Sequence, residues 1–301
     1  MKTHYLSQGV SIIIPCYEAG NYLLECIESI KKHPIKVKYE IIIVDDDSKD
    51  NDTAKALYKL KNESAIRIIR NPRNTGQSAS RNTGIFAANY EYIFMMDADD
   101  LVNTDKYVFK RGSYIDRAIG ILNSDPDIAF VYSMTRMFGL KNEIRNKKLL
   151  SVDKILKRYP VPIGLVYRNE DICYDEPYNN IIEKWTDWAF AIGFLNNRIA
   201  KGKANKISFL RHPYYLYRQH NLTDRISTRK ACEKKMLQQT LALYPKIFKI
   251  HFKEENDIDI INSLLLSSQI IRGYIPRACV GCNMESDYQC VRNAAIKALI
   301  L

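Results

Sequence analysis

Over residues 10–100 short apolar runs alternate with stretches whose apolar residues recur every three or four positions, and Pro, Gly, Asn or Asp marks each change. Val10 to Ile14 is apolar-rich and closed by Pro15, which predicts a strand. Leu23, Ile27 and Ile30 then fall at helical spacing. Glu40 to Val44 predicts a second strand, and Asp45, Asp46, Asp47 and Ser48 follow it. A helix from about Asp52 to Leu60, a strand from Ile66 to Ile69, a helix from Gln77 to about Ala88 and a strand from Tyr92 to Met96 complete the series. Strands separated by helices of this length need right-handed crossovers, so the pattern predicts an α/β fold with a parallel sheet.

Past Asp100 the alternation slackens. Tyr107 to Leu122 has helical character, Ile128 to Met134 reads as a strand, and Asn142 to Leu150 reads as a basic loop. Arg211 to Arg218, with Tyr214, Tyr215 and Tyr217, predicts an extended segment near the sheet. From Thr228 onward the periodicity is helical, with stripes at Leu237, Leu241 and Tyr244 and at Ile258, Ile261, Leu264, Leu265, Ile270 and Ile271. Lys230, Lys234, Lys235, Lys246 and Lys249 lie between them, so the stripes suit either packing on the preceding domain or docking on an anionic membrane or a second subunit. The expected division is a domain over 1–227, with halves 1–100 and 101–227, and a helical region over 228–301.

The 301 residues, 46% of them hydrophobic, suffice for a large core. A net charge of +11 favours polyanions, phosphorylated ligands or anionic headgroups without choosing among them. No window approaches the length of a membrane span and no signal peptide is evident, so the expected location is cytoplasmic, with peripheral contact at the inner face of the membrane. Seven cysteines, including Cys16 and Cys26, suit reduced thiols better than a disulfide framework. Cys279, Cys282 and Cys290 lack a fourth ligand at zinc-site spacing.

The chemistry is concentrated at predicted strand ends, where open α/β sheets bind ligands. Asp97 and Asp99 flank Ala98, so on an extended backbone both carboxylates face one way and can hold one hard divalent cation. Asp45 and Asp46 can accept hydrogen bonds from a nucleobase or ribose, or instead form a turn with Ser48 or Asp50 as a helix cap. Between the two sets, Arg73, Asn74, Thr75 and Gly76 lead into a helix whose N-terminus favours an anion, with Arg81 and Asn82 in its first turns and Gly84 allowing close approach to the sheet. The P-loop pattern is absent.

Four blocks in this order, Val10 to Tyr17, Ile43 to Ser48, Asn74 to Gly84 and Met96 to Asp100, resemble the N-terminal half of family 2 glycosyltransferases of the GT-A fold. The resemblance implies a Rossmann-like, mostly parallel sheet flanked by helices. It implies a metal-dependent, inverting sugar transfer from a nucleotide diphosphate donor to a glycan or lipid-linked acceptor, in surface glycan synthesis. Pro15, Tyr17, Glu18, Asp45, Asp46, Asn74, Gly76, Arg81, Asp97, Ala98 and Asp99 would hold the nucleotide sugar. Asp97 and Asp99 would hold Mn²⁺ or Mg²⁺. Asp47 stands where the family commonly has Gly, and Glu18 where it usually has Asn. Further along, Trp185 to Phe190 resembles the family's acidic block, with Asp187 as the catalytic base; a second register puts Glu183 there. Tyr217 to His220 resembles its Y-R-x-H element, which makes His220 a candidate metal ligand and Arg218 or Arg225 candidate phosphate partners. No nucleic-acid partner is expected, and a homodimer is compatible with the stripes. Alternative readings are a nucleotidyltransferase, or an inactive glycosyltransferase-like binding or assembly protein.

Overall fold

The computed structural model describes residues 6–157, 160–182, 184–220, 233–252 and 256–264, the last without 258 and 262. Its first half follows the hydrophobic pattern: β1 (Ser7–Cys16), α1 (Asn21–Lys32), β2 (Tyr39–Asp45), α2 (Asn51–Leu60), β3 (Ile66–Arg70), α3 (Gln77–Ala87) and β4 (Tyr90–Met95). β1 pairs in parallel with β2 and β4, and β2 with β3. Leu23, Ile27 and Ile30 are the buried face of α1. Asp50, not Ser48, caps α2 by accepting from the Thr53 amide at 2.7 Å. Gly84 lets α3 lie on the sheet, since a Cβ there would come 2.3 Å from a methyl of Ile13.

The second half adds strands that periodicity did not reveal. The expected helix over 107–122 divides into α4 (Lys106–Phe109) and α5 (Tyr114–Ser124), because Gly112 takes φ 90° and Ser113 caps α5. β5 (Leu101–Val102) and β8 (Val166–Arg168) are too short for a period to show. β6 (Ile128–Gly139) turns into β7 (Glu143–Arg145) inside the stretch expected to be loop. α6 (Val152–Leu156), α7 (Thr186–Ala200) and β9 (Lys206–Gln219) follow. The described strands form one sheet in the order β3-β2-β1-β4-β8-β6-β9-β5, with β7 on β6. β8 is antiparallel to β4 and β6, and β9 runs parallel to β6, so the sheet is mixed beyond its parallel half.

Helices α8 (Glu233–Leu243) and α9 (Pro245–Phe252) pack beside α7. Leu237 and Leu241 are buried, as are Met236, Phe248, Ile261 and Leu264, in the same apolar cluster as Trp188, Phe190 and Phe194 of α7. Gly193 on α7 is open to Tyr244, whose ring would lie 2.7 Å from a Cβ there. These stripes are therefore internal. Lys230, Ile258, Leu265, Ile270, Ile271 and the cysteines at 279, 282 and 290 lie outside the described residues. Among the described residues Cys16, Cys26 and Cys173 are free thiols, and no helix is long and apolar enough to cross a membrane.

Candidate active site

The site is built where β4 ends. The chain turns sharply after Met96, with the Asp100 amide donating to the Asp97 carbonyl at 3.2 Å, and this gathers Asp97, Asp99 and Asp100 so that one oxygen of each lies within 4.8 Å of the others. Asp100 is fully buried and held by β9: the Tyr215 hydroxyl donates to it at 2.7 Å and the Arg218 amide at 2.8 Å. The same Tyr215 oxygen accepts from the Asp97 amide. His220, just past β9, places Nε2 2.7 Å from Asp99 Oδ2. Its other ring nitrogen is buried without a hydrogen-bond partner.

Arg218 spans the site's rim. Its Nε donates to the Asp99 carbonyl at 2.7 Å, its Nη2 meets Glu25 at 2.5 Å, and its guanidinium lies 4.6 Å from the ring centres of both Tyr22 and Phe138. These contacts make it a brace for the Asp99 backbone. Arg225 and Glu183 lie outside the described residues.

Arg81, expected to help hold the nucleotide sugar, is 1% exposed and runs beneath the site. Nη2 donates to Asp97 at 3.0 Å and Nη1 to Asp187 at 2.9 Å, while the Tyr178 ring stands 5.0 Å from the guanidinium carbon. Asp187 sits in the first turn of α7, one residue into the helix after Thr186. Trp185 in the left-handed region (φ 59°) starts that helix, and Trp188 is anchored by donating to the Ile155 carbonyl at 2.6 Å. The Asp187 side chain remains about a third exposed, at 35%. One guanidinium thus ties the carboxylate at the end of β4 to the carboxylate at the start of α7.

Electrostatically the cluster is short of positive charge. Burial pushes the Asp97 carboxyl up to about 6, with Arg81 opposing and the charges of Asp99 and Asp187 adding. Burial, then Asp99 and Asp97, raises Asp100 well above the ordinary carboxylate range. Carboxylates of this kind, with an imidazole nitrogen beside them, match the hard oxygen-rich donor set of Mg²⁺ or Mn²⁺. Asp97, Asp99 and Asp100 bring their oxygens close enough for one such ion, with His220 against Asp99 alone, and a divalent charge there would offset the carboxylate repulsion that adds to burial in raising Asp97.

The other strand-end pair is arranged differently. Asp46 is 3% exposed and accepts from Asn71 Nδ2 (2.7 Å), Thr75 N and Oγ1 (both 2.9 Å) and Gly76 N (2.7 Å). The anion at the start of α3 is thus Asp46 itself. Asp45 accepts from the Ser48 amide at 3.0 Å and lies 3.4 Å from Arg70. Asp47, at the family's Gly position, does take a left-handed φ of 62°, and its carboxylate meets Lys49 at 2.7 Å and Arg70 at 3.2 Å. Around this floor Tyr17 is half-exposed beside Glu18, whose charge raises the Tyr17 hydroxyl, with Asn74 as a further hydrogen-bond partner. Pro15 lies in β1 opposite Val44, Glu18 has φ 47° with its amide donating to Ser48 Oγ, and Asn74 and Gly76 are exposed at the mouth of the loop. Ala98 is buried between the two carboxylates.

The sequence reading passed over Gln77, which donates to Asp97 at 3.1 Å, and over Glu25, Asp100, Tyr178 and Tyr215 as site residues. Asp100 was signalled by the third carboxylate in its run, and Tyr215 only by the Tyr-rich strand. Gln77, Glu25 and Tyr178 carry no local signal because their partners lie far along the chain.

Comparison with known proteins agrees with this arrangement. The sequence model "Glycosyl transferase family 2" matches residues 11–119, which include β1 to β4 and the carboxylate turn. "Glycosyltransferase GlyG" of Streptococcus pneumoniae is 35% identical over 97 residues, 32% of this chain and 32% of that protein. "Poly-beta-1,6-N-acetyl-D-glucosamine synthase" of Staphylococcus aureus is 31% identical over 125 residues, 40% of this chain and 29% of that one. The chain therefore spans about a third of the length of these curated relatives. Among solved structures, S. aureus TarS 1-349 in complex with UDP-GlcNAc superposes with a TM-score of 0.68 at 17% identity, covering 97% of this chain and 81% of that one. The mannosyltransferase PcManGT from Pyrobaculum calidifontis, in complex with GDP-Man and Mn²⁺, gives 0.51 at 13% identity over 98% of this chain and 84% of that one. The match places residues 11–119 in glycosyl transferase family 2, and the chain as a whole shares the GT-A fold of these solved neighbours.

Proposed function

We propose that the chain transfers a sugar, with inversion, from a nucleotide diphosphate donor to an acceptor hydroxyl, using a divalent metal held by Asp97, Asp99 and His220. The observation that carries this reading is the buried Arg81, which ties the metal-type carboxylate Asp97 to Asp187 through one guanidinium. A base and a diphosphate site that close together suit single displacement at the anomeric carbon.

When bound, the metal supplies positive charge to the leaving diphosphate. The protein's own groups do the rest. Tyr17, Glu18, Asp45 and Asn74 form the wall for the nucleoside, and Asp46 fixes the 71–76 loop against it. Asp187 accepts the proton of the acceptor hydroxyl as its oxygen bonds to the anomeric carbon; the bond to the diphosphate oxygen breaks on the opposite face, and its electron pair leaves with the diphosphate. Arg81 holds Asp187 in orientation. No covalent enzyme intermediate is needed.

The UDP-GlcNAc in the TarS complex and the product named for the S. aureus synthase make a UDP-N-acetylhexosamine the first donor to test, in glycan synthesis. A thermal-shift series of nucleoside diphosphates and their sugars, each with and without Mn²⁺, tests the proposal. A ligand at a hundred times its Kd stabilises by about 2.7 kcal/mol, so a true donor raises Tm by several degrees in Mn²⁺ and little without it. If no nucleotide raises Tm under either condition, the reading fails.

A further inference from the structure

The sequence offered the C-terminal helices as the docking element, yet their described stripes are buried. The exposed amphiphilic element is instead the β6–β7 hairpin. From Gly139 to Leu149 each residue except Asn146 is exposed, including the large apolar side chains of Leu140 (60%), Ile144 (39%) and Leu149 (51%). Lys141, Arg145, Lys147 and Lys148 lie between them against a single acid, Glu143, which is taken up by Arg145 at 2.5 Å. Outer strands are usually blunted by charge alone, so interleaved aliphatic residues on this one call for a different explanation.

Register shows where the hairpin points. Ile144 pairs with Arg136, Arg136 with Leu216 and Phe138 with Arg218, and paired residues share a sheet face. The face bearing Ile144 and Arg136 is therefore the face on which Arg218 lies over Phe138 and braces Asp99. Beyond Gly139 the Leu140 amide donates to the Gln219 carbonyl, one residue before His220. The hairpin is thus a lateral continuation of the metal-site rim.

We propose that this hairpin docks on an anionic lipid bilayer, Ile144, Leu140 and Leu149 entering the headgroup boundary while Lys141, Lys147 and Lys148 meet the lipid phosphates. Aliphatic residues between lysines suit a lipid interface better than a soluble polyanion, which offers nothing for the aliphatic groups to enter. The consequence, a site mouth held at the membrane for a lipid-linked acceptor, rests on the transferase reading. The docking itself does not, and it is measured without donor, so either idea can fail alone.

The experiment is sedimentation of the full chain with phosphatidylcholine vesicles, with and without phosphatidylglycerol. The variants are K141Q/K147Q/K148Q, Ile144→Ser with Leu149→Ser, and a control of equal charge change on and beside α2, K55Q/K59Q/K61Q. Near the surface each lysine is worth roughly fivefold in partitioning, so the hairpin triple should lose on the order of a hundredfold on anionic vesicles and the control far less. The aliphatic pair should lose about tenfold, with far-UV circular dichroism unchanged in all variants. The proposal is overturned if the wild type does not prefer anionic vesicles, or if the control loses as much as the hairpin triple. It is also overturned if the aliphatic variant binds vesicles as the wild type does, the result expected of a surface for soluble polyanions such as dextran sulfate.

Discussion

Two carboxylate groups stand at the ends of β2 and β4, the parallel strands on either side of β1, and they differ in what surrounds them. Asp46 accepts four hydrogen bonds from one loop, and those bonds, working against burial, hold its carboxyl below the ordinary range. Asp97 has Arg81 and Gln77 as donors, but burial, with the charges of Asp99 and Asp187 adding, raises its carboxyl to about 6. A carboxylate satisfied by amides is a structural anion that shapes a loop. One that shares its space with other carboxylates suits a further cation. On the proposed function, the end of β2 builds the loop and the end of β4 takes the metal and the diphosphate.

The largest effect expected is on the cation side. Asp99→Asn should lower metal-dependent donor turnover by at least about 10³-fold, the scale of losing several kcal/mol of charge stabilisation, with Tm in the absence of metal unchanged or raised. Wild-type turnover in Mn²⁺ would place the metal elsewhere. Next is Asp187→Asn, which should cost about 10²-fold or more in kcat with donor affinity little changed. Loss of donor binding together with turnover would make Asp187 a ligand or a strut for Arg81 instead.

On the structural side, Asp46→Ala removes the acceptor of four donors and should destabilise the fold by about 3 kcal/mol, read by urea denaturation. If stability is unchanged and only donor binding weakens, the contrast between the two groups is wrong. The smallest effect is pH-dependent and opposite in sign for the two. Asp46, with a lowered folded pKa, contributes stability above about pH 4 that is lost on acidification. Asp97, raised from 3.8 to about 6, favours the folded state when protonated, so its contribution falls as pH rises through that interval. In metal-free protein the Tm difference between Asp97→Asn and wild type should therefore grow from pH 4 to 7, and Mn²⁺ should stabilise the wild type increasingly over the same range.

Much of the first group was legible in the sequence because its elements are local. β1 to β4 each carry an apolar run ended by Pro, Asp or Asn, and the small residue at Gly84 reported close packing before the contact with Ile13 was seen. Asp97 and Asp99, singled out by spacing, gather with Asp100, and His220, singled out by resemblance, lies against Asp99. What was not legible depends on long-range pairing. β8 and β5 are short strands whose register is set by partners far along the chain, and β7 hides in a charged stretch because both its faces are exposed. The contacts of Arg81 are hidden for a related reason: its partner Asp187 lies 106 residues away. The loop bonds to Asp46 are equally hidden, because nothing local shows that the loop after β3 folds back over it.

The central claim is tested most directly by isothermal titration of Mn²⁺, with and without UDP, into the wild type and Asp99→Asn at pH 7. The account predicts one Mn²⁺ site in the wild type that UDP strengthens and that Asp99→Asn weakens by at least about tenfold, a loss of 1.4 kcal/mol or more. Equal Mn²⁺ affinity in both proteins, or an affinity indifferent to UDP, would contradict it.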